Sequence, residues 1–181
     1  TLDNRLYSTF MLPGAYYPEI TKVSDKTKLI YPFTGTDQNF LAVKKYVVGS
    51  PVDLAGIAAQ QRYPHNTYMM RLAEMYLIYA EAVKRGGTGG TEAQALIYLN
   101  ALRSRAQVTA APLGFYTLDY IIDERGRELH WEGFRRTDLI RYDRFTEGTY
   151  LWPWKGGVKS GTGVAATRKL FPLPDSEIAA N

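Results

Sequence analysis

The sequence predicts a mainly α fold: packed helices built on a tetratricopeptide-like helical hairpin, with a small antiparallel β element ahead of them. Three observations predict it. Residues 68–85 are apolar nearly all round, apart from one stripe holding Arg71, Glu74, Glu81 and Arg85, the pattern of a helix buried between neighbours. A Gly-rich break at 86–90 is followed by Thr91 and Gln94, a capping-box start, and by Ala95, Leu99, Leu102 and Ala106 on one face of a helix running to Gln107. Two helices joined so closely pack antiparallel. Finally, at about 100° per residue, Leu118, Ile121, Ile122 and Leu129 share a face.

Taken in order, 5–12 alternate like a strand, with Leu6, Ser8, Phe10 and Leu12 on one side, and stop at Pro13-Gly14. Residues 15–38 read as a loop rich in aromatics and turn formers, Tyr16 and Tyr17 among them. A second strand over 39–48 would pair with the first. An irregular connection over 49–64, with a short helix at 54–61, leads into the helical region. Thr117 caps the third long helix, which is expected to end near Gly133. A short helix over 134–145 follows, then a Gly-rich loop to Arg168. Two prolines in LFPLP impose an extended segment, and 175–180 close with a helical turn. The parts are thus 1–65 (β element and loops), 66–145 (helical core) and 146–181 (loop and C-terminal tail) of one domain.

Composition narrows the function classes. The chain has 181 residues, 45% apolar and 22% charged, as in a globular protein, and 13% aromatics, with 14 Tyr. Net charge is +4, but basic residues are interleaved with acids and form no run, which argues against a nucleic-acid partner. Cysteine is absent, so disulfides and Cys-ligated zinc are excluded. His65 and His130 are the only histidines and sit in no metal-ligand pattern; no metal site and no cofactor is expected. The apolar stretch 68–83 contains Arg71, Glu74 and Glu81 and is not a membrane span.

Charge in the third helix is unusual, because Arg125, Glu128 and Glu132 fall among its aliphatic positions. Buried ions need partners, so this face predicts an ion-pair network of Arg125, Glu128, Glu132, Arg135 and Asp138. Glu124, Glu128 and Glu132 could also suggest glycoside hydrolysis. That chemistry needs two carboxyls facing each other across a sugar, and arginine neighbours lower a carboxyl's pKa, which spoils a general acid. No serine lies in a GxSxG setting, and GGVKSGTG lacks Walker spacing. Catalytic residues are therefore not expected. Tyr150, Trp152 and Trp154, alternating around Pro153 in YLWPWKGG, follow no core-helix period. Tryptophan suits stacking on the C–H face of a sugar ring, so these three are the candidate ligand contacts, with Tyr16 and Tyr17 a second group. The competing expectation is that these rings cover the helical core.

Three segments carry a resemblance. ERGRELHWEGFRRTDLIRYDRF (124–145) resembles the signature of the SusD/RagB family, glycan-binding lipoproteins on the surface of gut-dwelling Gram-negative bacteria. RLAEMYLIYAEAVKRG, from Arg71, is similar to that family's upstream helix, and LFPLPDSEIAAN, from Leu170, to its C-terminal tail. The matches cover the C-terminal portion of a family whose members run to several hundred residues. The resemblance implies SusD-like packed helices and non-catalytic binding of an oligosaccharide at the outer membrane surface. It also implies delivery to a SusC-like TonB-dependent transporter. The lipid anchor and much of the ligand site would lie in an N-terminal portion absent from this chain, and that portion is itself a candidate partner. Without the resemblance, the residues indicate a helical binding scaffold. A tetratricopeptide-like protein-interaction module and a glycan-active enzyme are the alternatives.

Overall fold

The computed structural model describes Arg5, the backbone of four strand segments between 10 and 43, and residues 68–180, with 179 and 180 as backbone only. The expected helix at 54–61, His65 and the rest of the expected strands over 5–12 and 39–48 lie outside the described residues. The strands are β1 (Phe10–Met11), β2 (Tyr16–Thr21), β3 (Lys28–Ile30) and β4 (Ala42–Val43). β1 pairs antiparallel with β4, Phe10 opposite Val43 and Met11 opposite Ala42. With two residues on each side this ladder is far shorter than the expected strands, and the architecture is helical. β2 pairs antiparallel with β3, Tyr16 opposite Ile30, so strand pairing occupies part of the stretch read as loop.

The helices are α1 (Leu72–Lys84), α2 (Glu92–Arg105), α3 (Leu118–Glu128), α4 (Arg135–Arg141) and α5 (Asp175–Ala180). Among the described residues none is long and apolar enough to cross a membrane. The chain divides into two compact units, Thr1–Trp131 and Glu132–Asn181.

In the first unit, α1 packs on both α2 and α3. The hairpin is antiparallel: the rings of Tyr76 and Tyr98 stack at 4.4 Å, Tyr79 takes the N–H of Thr91 at 3.2 Å, and Lys84 pairs with Glu92 at 2.8 Å. Thr91 caps α2 by accepting the Gln94 N–H at 3.1 Å. Ala95, Leu99, Leu102 and Ala106 are all buried, as their spacing predicts. Asn100 reaches from α2 to the following loop, its amide bonding both the N–H and the carbonyl of Ala111. Tyr116, buried, donates its hydroxyl to the Ala80 carbonyl and so ties the start of α3 to α1.

α1 departs from expectation in two ways. It starts at Leu72, because Arg71 is extended (φ −146, ψ 157), leaving Tyr68, Met69 and Met70 exposed ahead of it. One side is also left open: Ala73, Leu77 and Ala80 are buried together with Glu74 and Glu81, while Leu72, Met75 and Ile78 are exposed. Glu81 is held by Arg85 at 2.7 Å one turn on, and Arg71 is bonded to α3, so part of the charged stripe is carried into the buried face.

α3 begins where expected, Thr117 accepting the Tyr120 N–H at 3.1 Å. It ends at Glu128, before Gly133, because the chain breaks from helical geometry at once: Trp131 already has φ 63. Gly133 (φ 85) serves the turn after it. In the second unit, α4 buries Asp138 and Leu139, and Asp138 accepts from Arg141 at 2.8 Å.

Candidate functional site

Two constellations of the structure could carry function: the charged face of α3 and the aromatic loop of the second unit. On α3, Glu124, Arg125 and Glu128 are buried between Ile121, Ile122 and Leu129. Glu128 is bound by three arginines. Arg71 donates to its carboxylate at 2.6 Å and to its main-chain carbonyl at 2.6 Å, Arg5 donates to the carboxylate at 3.2 Å, and Arg105 also bonds it. Glu124, fully buried, accepts from Arg5 at 2.7 Å and from Arg127 at 2.7 and 3.0 Å. Burial alone would raise the pKa of Glu128. The hydrogen bonds and charges of Arg105 and Arg71 outweigh that and hold it below the usual carboxylate range.

The sequence identified charges inside the fold here but not their partners. Arg5, Arg71 and Arg105 come from distant positions, and Glu124 was no member of the expected buried face. Arg135 and Asp138, assigned to the same network from sequence, belong to the second unit, as does half-buried Glu132. There Asp138 bonds Arg141, and Arg135 donates to the Tyr150 hydroxyl at 2.6 Å.

The aromatic loop is organised by a residue that sequence reasoning passed over. Lys155 is 3% exposed, and its ammonium donates to the carbonyls of Arg144, Glu147 and Tyr150 at 3.1, 2.5 and 2.7 Å. Three acceptors use all three N–H bonds. The same nitrogen lies 4.6 Å from the centre of the Trp152 ring, close enough for a cation–π contact. Lys155 thus draws the loop 144–150 around itself and fixes one face of Trp152. The signal in sequence was a lysine between two tryptophans and two glycines, which reads equally well as solvated loop.

Backbone conformation is equally specific. A Cβ at Gly161 would stand 2.6 Å from the Trp152 carbonyl oxygen, and one at Gly156 would stand 2.6 Å from Thr162 Cγ2. Trp154 itself adopts the left-handed region (φ 69, ψ 7), which costs a non-glycine residue about 1–3 kcal/mol. The residue is 61% exposed. Trp131 in the first unit shares both features (φ 63, 64% exposed); Trp154 differs in lining a cleft.

Trp152 and Trp154 line a cleft of about 590 Å³ with Phe145, Lys155, Gly156 and Arg168, and residues 163–165 complete it. Tyr150, half-buried, stands beside it with its ring 6.5 Å from that of Trp152, and the guanidinium groups of Arg135 and Arg144 lie 5.7 and 5.8 Å from its centre. The structure therefore brings Trp152 and Trp154 together in one cleft and commits the Tyr150 hydroxyl to Arg135. Tyr16 and Tyr17 are adjacent in β2, and their side chains lie outside the described residues. Among the described residues no group of His, Asp or Glu is arranged to hold a metal ion.

A helical scaffold bearing an aromatic-lined cleft is the class of protein this fold and site define. Residues 1–181 match the model of the SusD family, and the chain belongs to that family. Starch-binding protein SusD of Bacteroides thetaiotaomicron is 42% identical over 123 residues, 65% of this chain and 21% of that protein. SusD-like protein P2 of Formosa agariphila is 30% identical over 175 residues, covering 89% of this chain and 34% of its own length. Among solved structures, surface glycan-binding protein A from Bacteroides thetaiotaomicron superposes with a TM-score of 0.69 at 27% identity, over 98% of this chain and 36% of that one. Its complex with laminarihexaose superposes equally well, at 26% identity over 99% and 37%. The chain spans between 21% and 34% of the curated relatives it matches.

Proposed function

We propose that the protein carrying this chain is a non-catalytic oligosaccharide-binding protein of the outer membrane surface, which passes its ligand to a SusC-like TonB-dependent transporter. The observation that carries the binding role is Trp154, exposed and held in a left-handed backbone at an open aromatic cleft. A flat ring presented this way stacks on a pyranose C–H face, while neighbouring polar groups bond the hydroxyls. Relatives named for binding starch and glycans support the reading.

Catalysis fits the residues poorly. Glu124 and Glu128 are both ion-paired with arginines, and Glu128, held below the usual carboxylate range, is a weak proton donor. A protein-interaction scaffold is the second reading, favoured by the exposed row Leu72, Met75 and Ile78 on α1.

The test is a glycan array on the intact protein, followed by product analysis of every bound oligosaccharide, with copurification of a SusC-like transporter measured in parallel. Binding without turnover, together with the transporter, is the expected result. Cleaved products would overturn the non-catalytic reading, and an array without binding would overturn the glycan reading.

A further inference from the structure

We infer that the cleft of the second unit selects oligosaccharides carrying an acidic group, a uronate carboxylate or a sulfate, which Arg168 grips while Trp154 stacks on the sugar ring. The inference rests on the reading of this cleft as a sugar site and adds its chemical selectivity.

The cleft is positively charged. Its lining contains Lys155 and Arg168 and, among the described residues, no aspartate or glutamate. The two cations have different roles. Lys155 has all three N–H bonds engaged by main-chain carbonyls, so it supplies field and no contact. Low solvent exposure makes that field stronger than a surface lysine's.

Arg168 is the complement. Its side chain is exposed and makes no ion pair among the described residues, whereas its main chain is anchored: its carbonyl accepts from Arg136 at 2.8 Å. Arg136 is in turn held by two rings, its guanidinium lying 4.9 Å from the centre of Phe145 and 4.5 Å from that of Phe171. Asp143 pairs with Lys169 at 3.1 Å and Asp138 with Arg141, while Glu147, whose charge acts on Lys155, lies outside the cleft lining. A fixed backbone bearing an uncommitted planar fork, beside an exposed tryptophan, matches a sugar with two or three anionic oxygens projecting from its ring. A neutral glycan would use the tryptophan and leave the guanidinium in water.

The experiment compares, by titration calorimetry on the intact protein, trigalacturonate with its methyl ester and a sulfated galactan trisaccharide with its desulfated form. At low salt at least one acidic glycan is expected to bind about tenfold tighter than its uncharged counterpart, with the margin shrinking as salt is added. Arg168→Gln is expected to bring the two forms within about twofold, and Trp154→Ala to weaken both. Equal binding of acidic and uncharged forms by the unmodified protein, or binding of neither acidic glycan, overturns the selectivity. If Trp154→Ala still weakens a neutral oligosaccharide, the sugar site survives that failure. If Trp154→Ala changes nothing, site and selectivity fall together.

Discussion

Arg71 and Glu128 stand 57 positions apart, yet Arg71 grips Glu128 twice, one nitrogen on the carboxylate and the other on the main-chain carbonyl, both at 2.6 Å. The second contact caps the end of α3, since Glu128 is its last residue and its carbonyl is one that the helix leaves unpaired. One arginine just ahead of α1 therefore neutralises a buried acid and terminates the helix that α1 packs against.

Replacing Glu128 by alanine is expected to destabilise the first unit by about 3 kcal/mol or more, because three arginines lose a shared buried partner. Urea unfolding of the variant against the unmodified protein measures it. A change below about 1 kcal/mol would show that the arginines re-pair with solvent at little cost.

The same carboxylate gives a pH dependence of defined sign. Its pKa in the folded state is lower than in the unfolded chain. Its contribution to stability is therefore fully present above the unfolded value of about 4.3 and is lost as pH falls through the lower folded value. The stability gap between the unmodified protein and Glu128→Gln should be largest near pH 7 and narrow below about pH 4. Denaturant melts across that range check it, and a gap that widens in acid would contradict the pairing.

Tyr116 titrates at the opposite end. Burial, with the charges of Glu92 and Tyr79 adding to it, pushes its hydroxyl up to about 12. A folded value above the unfolded one contributes stability below about pH 10, lost as pH rises through the folded value. Tyr116→Phe should remove a late step from the ultraviolet titration of the tyrosines and, at neutral pH, reduce stability by about 1 kcal/mol. Loss of a step near pH 10 instead would place the hydroxyl in water.

Much of this fold was legible in sequence, for physical reasons that also mark where legibility stopped. The cap at Thr91, the cap at Thr117 and the buried set Ala95, Leu99, Leu102 and Ala106 depend on local spacing, and local spacing is what a sequence displays. That Leu72, Met75 and Ile78 stay exposed on α1 while Glu81 and Arg71 find partners is a tertiary matter that a pattern apolar nearly all round does not show. The end of α3 was misplaced for a similar reason: Gly133 suggested a stop, but the helix had already ended at Glu128, whose carbonyl Arg71 takes. At the cleft, the tryptophans stood out by their type and spacing. Lys155 and Arg168 did not, because their roles come from three carbonyls and a cleft wall assembled by a loop of no regular period.

Replacing Lys155 by methionine, similar in length and without charge, leaves three carbonyl oxygens without their donor. The expected loss is about 3 kcal/mol, with a change in tryptophan fluorescence as Trp152 loses the cation beside its ring. Thermal melts followed by fluorescence measure both. An unchanged spectrum and melting temperature would mean that the loop holds its shape without the lysine.

The central claim is that Trp154 is displayed for a sugar and is not part of the core. Titration calorimetry of Trp154→Ala in the intact protein, against an oligosaccharide that the unmodified protein binds and alongside a melting curve, tests it most directly. Loss of a stacking ring is expected to weaken binding about tenfold or more, by analogy with base–aromatic stacking of about 1–3 kcal/mol, while the melting temperature hardly moves. Unchanged affinity with a lowered melting temperature would contradict the account and return Trp154 to the core.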